Sequence, residues 1–294
     1  MKELVIISGK GGSGKTTVSA SFASLAKNSV ISDCDVDAPN MHILMKPEKT
    51  LTHDFHSGLL AEIDQDKCTS CGLCYEYCRF DAIDKSTDKS GKTIYRIDEL
   101  KCEGCSLCDY VCQANAIKLS TPKRGVWMES DTKYGPMIHA LLDAGGENSG
   151  KLVSLVKSKA RVKARDDNAD VLLVDGPPGV GCPVIASISG ADLLLVVTEP
   201  TQSGKHDMER VIHLADSFKM RVAVCINKWD INPEVSAEID RVAKENGAMS
   251  VGRIRYDRSV PRILSEGKII VEQDGEVSSD IKQVWRDVSR TLKS

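Results

Sequence analysis

Residues 8–17 read Ser-Gly-Lys-Gly-Gly-Ser-Gly-Lys-Thr-Thr, and they follow the apolar run Leu-Val-Ile-Ile at residues 4–7. An apolar run, a glycine-rich loop and a helical pattern after it predict a buried strand, a turn and a helix. From Gly9 the loop satisfies G-x-x-x-x-G-K-T, a spacing that lets backbone amides close around a phosphate at the positive end of a helix. We therefore expect an α/β domain whose predicted phosphate and Mg2+ contacts are Gly11, Gly12, Ser13, Gly14, Lys15, Thr16 and Thr17.

A second lysine, Lys10, stands directly before Gly11 and Gly12. With this lysine the loop resembles the deviant K-G-G-x-G-K-T-T phosphate loop of the MinD, ParA, Mrp and nitrogenase iron protein superfamily. In that superfamily the extra lysine reaches the nucleotide of the partner subunit. The resemblance therefore implies catalytic roles for Lys10 and Lys15, and a homodimer that forms through ATP. The simpler alternative is that Lys10 is a solvated loop residue.

The overall composition limits the classes of partner. The chain has 294 residues, with 39 basic and 42 acidic side chains and a net charge of −3. This balance gives no overall positive field for nucleic acid or an anionic membrane. No apolar run approaches the ~20 residues that span a bilayer, so we expect a cytoplasmic protein without a membrane anchor. Eleven cysteines in such a compartment are predicted to be reduced thiols, and their spacing points to metal.

Acidic residues follow two further apolar runs. The run at residues 29–33 ends in Asp33, with Asp35 shortly after it, and the run at residues 171–175 ends in Asp175. The carboxyl ends of parallel strands meet at one edge of a sheet, where such ligand sites lie. The superfamily resemblance assigns Asp33 to a Mg2+-bound water and Asp35 to the attacking water. At Asp175, the following Gly-Pro-Pro-Gly matches the superfamily's D-x-P-P-G, and we expect Asp175 to bind Mg2+ through water beside a γ-phosphate-sensing turn.

Two copies of one cysteine pattern lie between these runs. The spacing C-x2-C-x2-C-x3-C occurs twice, 34 residues apart, and the repeat extends to neighbouring apolar and acidic positions. Eight thiolates in this register are the ligand set of two 4Fe-4S clusters of the bacterial ferredoxin type, in which the fourth cysteine of each run serves the other cluster. The predicted sets are Cys68, Cys71, Cys74 and Cys112 for the first cluster, and Cys102, Cys105, Cys108 and Cys78 for the second.

Zinc is the alternative metal, but two C-x2-C pairs separated by a dozen or more residues would be more typical of it. One feature departs from the ferredoxin pattern. Arg79 and Gln113 replace the proline that usually follows the fourth cysteine. A further thiol, Cys182, lies beyond the predicted switch; it is interpreted as a buried free thiol, with a cysteine pair across a dimer axis as the alternative.

The base-binding part of the site is expected near Asn227. Residues 227–230 read Asn-Lys-Trp-Asp, which has the N-K-x-D form by which many GTPases read guanine. In MinD-like ATPases an asparagine near this position contacts adenine instead. Because Lys10 and the switch motif both resemble the ATPase branch, we expect Asn227 to belong to an ATP site. Residues 256–261 are candidates for the rest of the base pocket.

These features together predict a mostly parallel P-loop sheet flanked by helices, with an inserted small α+β ferredoxin-like domain. The predicted domains are residues 1–58 and 121–294 for the ATPase and 59–120 for the insert. Residues 145–151 form a glycine-rich stretch without phosphate-loop spacing, and they predict a helix entrance. The apolar stripe Ile281, Val284, Trp285, Val288 and Leu292 predicts a last helix that packs on the sheet instead of a membrane.

Three functions are compatible with this organisation. The first is ATP hydrolysis coupled, through a dimer switch, to electron transfer between an unknown donor and acceptor. The second is ATP-dependent assembly or delivery of an iron-sulfur or metal cluster to a metalloprotein client. The third is a MinD/ParA-like positioning role in which the insert is structural. Permanent ligation by eight cysteines favours electron transfer over cargo.

Overall fold

The computed structural model describes residues 1–145 and 149–294. It divides into two compact units. The first unit contains residues 1–53, 126–142 and 149–294, and the second contains residues 54–125 and, within the described chain, 143–145. The elements, in chain order, are β1 (Lys2–Ile7), α1 (Lys15–Leu25), β2 (Ser29–Asp33), α2 (Met41–Met45), β3 (Lys49–His56), β4 (Leu60–Ile63), α3 (Leu73–Tyr77), β5 (Ile83–Thr87), β6 (Thr93–Ile97), α4 (Leu107–Val111), β7 (Ile117–Ser120), β8 (Lys123–Thr132), β9 (Gly135–Leu142), α5 (Ser149–Asp166), β10 (Val171–Asp175), α6 (Cys182–Ile188), β11 (Leu193–Thr198), α7 (Gln202–Ser217), β12 (Val222–Asn227), α8 (Pro233–Glu245), β13 (Met249–Ile254), α9 (Val260–Ser265) and α10 (Glu276–Lys293), with short 3-10 helices at Trp229–Ile231 and Ile270–Glu272.

The largest sheet of the described residues has nine strands in the order β13-β12-β11-β1-β10-β2-β9-β8-β3. The neighbouring strands from β13 to β9 run parallel. Strands β1, β2, β10, β11 and β12 are almost wholly buried, as their continuous apolar runs predict for a sheet covered on both faces. The α/β fold with a mostly parallel sheet is therefore confirmed.

The sheet is larger than the sequence predicts. Apolar runs indicate parallel strands only as far as β12, whereas β13 adds one more at the edge, and β9, β8 and β3 extend the other side. β13 reads Met-Ser-Val-Gly-Arg-Ile and is only partly buried, so it lacks a continuous apolar run. The apolar pattern of the sequence therefore does not mark β13, although this strand pairs parallel to β12.

Helix α10 covers the sheet with one face. Val277, Ile281, Val284, Val288 and Leu292 are buried along it. Trp285 packs against Phe22 of α1, with ring centroids 4.9 Å apart. The predicted packing role of the last helix is thus confirmed. No helix within residues 1–145 and 149–294 is long and apolar enough to cross a membrane.

His139 is a buried titratable group in β9. Its Nε2 lies 2.9 Å from Ser130 Oγ, and its ring stacks on His42 with centroids 6.2 Å apart. Burial, with a smaller effect from His42, lowers the pKa of His139 to about 4. The fold therefore holds this imidazole in its neutral form.

We expect His139 to make stability fall as the solution is acidified. The unfolded chain takes up a proton near the ordinary histidine pKa of about 6.5, while the folded chain does so only near 4. The contribution is full above pH 6.5 and declines as the pH falls toward 4, by about 3 kcal/mol in total. Denaturant unfolding at several pH values should show that His139→Gln flattens this decline. The exposed control His206→Gln should leave it unchanged, and an unaltered slope in His139→Gln would contradict the assignment.

The second unit repeats one motif with the 34-residue offset of the sequence. Helices α3 and α4 begin at Leu73 and Leu107, which are 34 positions apart. Two antiparallel strand pairs accompany them, β4 with β7 and β5 with β6. A turn at residues 88–92 joins β5 and β6, and Asp88 Oδ1 accepts backbone hydrogen bonds from Ser90 and Lys92 at this turn.

The unit boundaries at 53/54 and 125/126 lie a few residues outside the predicted insert of 59–120. Helix α2 and part of β3 lie between β2 and the start of the second unit at residue 54. Of the glycine-rich stretch 145–151, residues 146–148 lie outside the described residues. Helix α5 begins at Ser149, within this stretch, as the predicted helix entrance requires.

Candidate functional site

The glycine loop between β1 and α1 has the backbone that its sequence requires. Gly12 and Gly14 have φ values of 81° and 90°, in the left-handed region that favours glycine. Gly14 is the N-cap of α1. A Cβ atom at this position would lie 2.3 Å from Asn227 Nδ2, so a larger residue would displace that side chain. The loop amides and the start of α1 therefore form the kind of backbone site that binds anions.

Lys15 connects this loop with the acidic strand ends. Its Nζ lies 2.9 Å from Asp175 Oδ2 and 3.7 Å from Asp35 Oδ2, and its side chain is only 7% exposed. Burial by itself would lower the pKa of Lys15, but Asp175, Asp33 and Asp35 together raise it above its ordinary value. Lys15 is therefore a fixed positive charge among three carboxylates.

Asp175 accepts hydrogen bonds from two further side chains of α1. Thr16 Oγ1 donates to its Oδ2 at 2.8 Å, and Ser19 Oγ donates to its Oδ1 at 2.5 Å. The strand end and the first turns of the helix are thus joined through one buried carboxylate. Thr16 and Asp175 present oxygen atoms at one place, and such hard donors are the ligands that Mg2+ prefers.

Asp33 and Asp35 occupy different environments. Asp33 is fully buried and accepts backbone hydrogen bonds from Asp35 and Met41. Burial, and then the nearby Asp175, raise the pKa of Asp33 to about 7. Asp35 is partly exposed; its pKa is raised by burial and by Asp175, against the opposing effect of Lys15. Asp35 therefore borders solvent, while Asp33 lies behind it.

A cleft of about 600 Å³ lies over the glycine loop. Of the predicted residues, Gly11 through Thr17 and Asp35 line it, whereas Lys10, Asp33, Asp175 and Asn227 do not. Pro177 and Pro178 of the predicted switch also border the cleft. Ser13 Oγ is buried in the loop without a hydrogen-bond partner among the described residues. A phosphate oxygen in the cleft would supply the acceptor that this hydroxyl lacks.

Lys10 is directed away from the cleft and is held by Glu199. Its Nζ lies 2.7 Å from Glu199 Oε1 and 3.0 Å from Ser203 Oγ. Lys228 Nζ lies 3.2 Å from the other carboxylate oxygen of Glu199 and donates to Gly12 O at 3.3 Å. Burial alone would raise the pKa of Glu199, but hydrogen bonds from Lys10 and Lys228 lower it. Lys10 is therefore paired with Glu199 in this structure, with 35% of its side chain exposed.

A second, mostly apolar cavity of about 280 Å³ adjoins the loop and shares Gly12, Gly14 and Thr17 with the cleft. Asn227 and Tyr256 line it, together with Pro261 and the apolar side chains Ile254 and Leu264. Asn227 Nδ2 donates to Ser13 O at 2.8 Å, so this side chain also braces the loop. The cavity has the apolar lining and the few polar groups that suit a planar base.

The eight cysteines of the second unit lie around two separate cavities. Cys68, Cys71, Cys74 and Cys112 line one of them, and Cys78, Cys102, Cys105 and Cys108 line the other. Each cavity thus combines three cysteines of one run with the fourth cysteine of the other run. The turns that carry them have positive φ at Ser70, Gly72, Gly104 and Ser106, two pairs that are 34 residues apart.

Burial affects the pKa of one thiol in each cavity, Cys74 in the first and Cys108 in the second. Burial raises the pKa of Cys74 above its ordinary value and that of Cys108 to about 11. Bound metal would reverse this effect, because a coordinating thiol is deprotonated. No group of three or more His, Cys, Asp or Glu side chains in the described chain is arranged to hold a single metal ion. A cubane cluster does not need such convergence, since each of its four thiolates binds a different iron.

The remaining thiols differ in exposure. Cys34 and Cys225 are buried, which raises the pKa of each to about 12. Cys182 begins the short helix α6 and is exposed. Its predicted burial is therefore wrong, because the first residue of this helix faces away from the core.

Three residues of the nucleotide site were not identified from the sequence: Ser19, Glu199 and Lys228. Ser19 lies one helical turn after Lys15, on the same face of α1, and this spacing could have indicated it. Glu199 directly follows β11, so it has the strand-end position that singled out Asp175. No sequence signal predicts that Glu199 pairs with Lys10, since 189 residues separate them.

Solved structures share the fold over nearly the whole chain. The MinD cell division protein of Aquifex aeolicus is 19% identical, with a TM-score of 0.56 over 99% of this chain and 97% of that one. The septum site-determining protein MinD of Pyrococcus horikoshii, solved with Mg-ADP, is 14% identical, with a TM-score of 0.58 over 99% and 96%. A ParA family ATPase from Chlorobium tepidum is 17% identical, with a TM-score of 0.53 over 98% of each chain. At these identities the likeness establishes a MinD/ParA-like ATPase fold.

Sequence comparison gives a closer relationship. The uncharacterized protein MJ0578 of Methanocaldococcus jannaschii is 33% identical over 99% of this chain and 97% of its own length. A second protein of that organism, MJ0579, is 29% identical over 79% of this chain and 83% of its own length. The family model described as the CobQ/CobB/MinD/ParA nucleotide binding domain matches residues 4–270, which include the glycine loop and the acidic strand ends. The glycine loop, the acidic strand ends and this match together place the chain in the CobQ/CobB/MinD/ParA nucleotide-binding family.

Proposed function

We propose that the protein binds and hydrolyses ATP, binds two 4Fe-4S clusters, and couples a nucleotide-dependent dimer switch to electron transfer through those clusters. The observation that carries this proposal is the arrangement of the eight cysteines. Two sets of four, each drawn from both sequence runs, line two separate cavities in the same chain as a P-loop nucleotide site.

Several contacts support the nucleotide half of the proposal. The cleft over residues 11–17 offers loop amides, the Lys15 ammonium and the orphan Ser13 hydroxyl to a phosphate chain. Thr16 and Asp175 would hold Mg2+, Asp175 through a water molecule. Asp35 borders the same cleft and is placed to orient the attacking water, while Asp33 would act from behind it on the Mg2+ hydration shell. The P. horikoshii relative was solved with Mg-ADP, which fits this use of the fold.

Adenine is favoured over guanine by the contacts of the N-K-x-D stretch. Asp230 Oδ1 accepts a hydrogen bond from Tyr256 N at 2.7 Å, so its carboxylate is engaged by the backbone. Asn227 is likewise engaged by Ser13 of the loop. The two side chains that would read guanine in a GTPase thus have structural partners here. The apolar side chains of the neighbouring cavity can pack against the two ring faces of adenine.

The turn after β10 is tied to the phosphate loop and is the proposed switch. Gly179 N donates to Ser8 O at 3.0 Å, and Gly176 N donates to Ile6 O at 2.8 Å. Gly179 has a φ of 94°, a conformation that permits a change of chain direction. A γ-phosphate in the cleft would contact this turn and favour one of its conformations. We propose that the selected conformation permits the homodimer in which Lys10 reaches the partner's nucleotide.

The second unit fits two cubane clusters on the chemistry of its donors. Each cavity presents four cysteine thiols and is otherwise mostly apolar, with Ile63, Ala116 and Ile117 at the first and Ala61, Ile83 and Ile97 at the second. When bound, the clusters supply one-electron carriers. The protein's part is to hold the thiolates in place, limit access of water and provide exposed edges for a donor and an acceptor.

A second candidate function is delivery of a cluster to a metalloprotein client. It is favoured by the exposure of Cys71 and Cys105, one ligand in each set, because an exposed thiolate can be exchanged. The half-buried state of the other six ligands favours permanent binding and electron transfer. A positioning role like that of MinD and ParA proteins is a third candidate, supported by the fold.

The proposal is tested by anaerobic iron and sulfide analysis followed by EPR potentiometry with and without a non-hydrolysable ATP analogue. We expect about eight iron atoms per chain and a change in a cluster potential or reduction rate when the analogue binds. If the clusters are intact but their potentials and reduction rates do not change with the nucleotide, the coupling to electron transfer is contradicted and cluster delivery is favoured. Absence of iron after anaerobic reconstitution would overturn the cluster assignment.

Release of Lys10 from Glu199 should favour the proposed dimer. Glu199 holds Lys10 through an ion pair, and this contact has to break before the lysine can reach a partner's nucleotide. We expect Glu199→Gln to tighten ATP-dependent dimerisation about tenfold, which corresponds to about 1.4 kcal/mol. Analytical ultracentrifugation with the ATP analogue measures this. Glu234→Gln removes an exposed charge of the same sign and should have no effect; weaker dimerisation in Glu199→Gln would show that Glu199 supports the dimer.

A further inference from the structure

The two cysteine cavities differ at positions that the 34-residue repeat makes equivalent. Tyr95 lines the first cavity, and its counterpart at the second is Ala61. Phe80 lines the second cavity, and its counterpart at the first is Ala114. At these two equivalent positions each cavity thus has one aromatic ring and one alanine, but only the first has an aromatic hydroxyl.

Tyr95 is fixed where its hydroxyl can reach the first cavity. The residue lies in β6 and is 5% exposed. A Cβ atom on Gly72 would lie 2.9 Å from Tyr95 Oη, so the hydroxyl rests against the turn between Cys71 and Leu73. Its ring also contacts that of Tyr75, with centroids 5.8 Å apart. The position of Tyr95 is therefore set by packing on both sides.

The Tyr95 hydroxyl has no hydrogen-bond partner within the described part of the chain. Nearby polar groups are already paired: Ser70 Oγ donates to Thr93 O, and the backbone carbonyl of Tyr95 itself accepts from Gln65. A tyrosine hydroxyl is both a donor and an acceptor, and one without a partner in the chain can donate to a group beside it. The hydroxyl is thus available as a donor to whatever fills the cavity beside it.

We infer that Tyr95 donates a hydrogen bond to a sulfur atom of the first cluster and thereby makes the two clusters unequal in potential. This inference rests on the proposed function, since it needs the clusters to be present. Hydrogen bonds to the sulfurs are one of the factors that set cluster potentials. A donated hydrogen bond stabilises the more negative reduced state, so the cluster held by Cys68, Cys71, Cys74 and Cys112 has the higher potential.

The second cavity lacks this device. Ala61 cannot donate from its side chain and Phe80 has no polar atom. The hydroxyl of Ser106, which also lines this cavity, donates to Gly104 O at 3.4 Å within its own turn. A single electron shared by the two clusters then resides mainly on the first, and transfer from the second to the first is downhill. Tyr95 therefore acts on the potential of the first cluster, and this difference in potential sets the direction of electron transfer between the two clusters.

The test is EPR potentiometry of the cluster-loaded, full-length Tyr95→Phe variant against the parent. We expect two distinct midpoint potentials in the parent. The higher one should fall in Tyr95→Phe, so that the ratio of reduced to oxidised first cluster at a fixed potential drops about tenfold, which is about 59 mV for a one-electron couple. A Cys105→Ser variant perturbs the second cluster and so assigns the remaining signal to the first.

Tyr75→Phe is the matched control, because it removes the same atom from a neighbouring ring that is 46% exposed. It should leave both potentials unchanged. An unchanged higher potential in Tyr95→Phe, or a change in the second cluster instead, would overturn the inference. Loss of iron from the parent protein itself would count against the proposed function, so the two failures give different results.

Discussion

About four iron atoms per chain should remain when Cys68 and Cys112 are both replaced by serine. These two residues belong to different sequence runs, 44 positions apart, yet they line the same cavity. Their joint loss should therefore disable one cluster and leave the set of Cys102, Cys105, Cys108 and Cys78 complete. Iron and sulfide analysis after anaerobic reconstitution measures the result, and EPR should show one remaining type of cubane signal.

The matched control replaces Cys68 and Cys78, which belong to one run but line different cavities. This pair removes one ligand from each set, so both clusters should be perturbed and the iron content should fall well below four per chain. The opposite pattern would show that each run binds its own cluster. Nucleotide binding in both double variants reports whether the first unit remains folded, since none of these cysteines belongs to it.

Sequence reasoning succeeded where the relevant contacts are local. The glycine loop, its preceding strand and its helix are contiguous, and the buried strands carry continuous apolar runs that sheet burial requires. The cysteine pattern also predicts the symmetry of the second unit, because the 34-residue repeat relates its two helices and its two cysteine-bearing turns. Residues such as Lys15 and Thr16 could be chosen because their chemistry follows from spacing alone.

The rest depended on contacts between distant residues. β13 is partly exposed and β3 mostly so, and no continuous apolar run marks either strand. The pairing of Lys10 with Glu199 joins two loops that only the sheet order brings together. Asp33 and Asp35 look alike in sequence, but the first ends a buried strand and the second lies beyond it, where strand periodicity no longer applies. The difference between a buried and a cleft-lining carboxylate therefore appears only in the fold.

Because Asp35 lines the cleft whereas Asp33 is buried, we expect Asp35→Asn to lower ATP hydrolysis strongly while leaving nucleotide binding nearly intact. Asp35 lines the cleft, is 16% exposed and lies 3.7 Å from Lys15 Nζ. A carboxylate that orients or deprotonates the attacking water typically contributes about 10²- to 10⁴-fold to the rate. The asparagine keeps the size of the side chain but has no negative charge, so kcat should fall by this factor.

Asp37→Asn is the matched control, because Asp37 is an exposed carboxylate of the same loop that lines the same cleft. It should change kcat by less than about threefold, since no catalytic geometry depends on it. Binding of a fluorescent ATP analogue, measured in parallel, separates catalysis from affinity. If Asp35→Asn instead abolished binding, the role of Asp35 would be to balance Lys15, and the attacking water would have to be oriented by another group. Equal losses in both variants would show that the charge of the loop, and not the position of Asp35, supports hydrolysis.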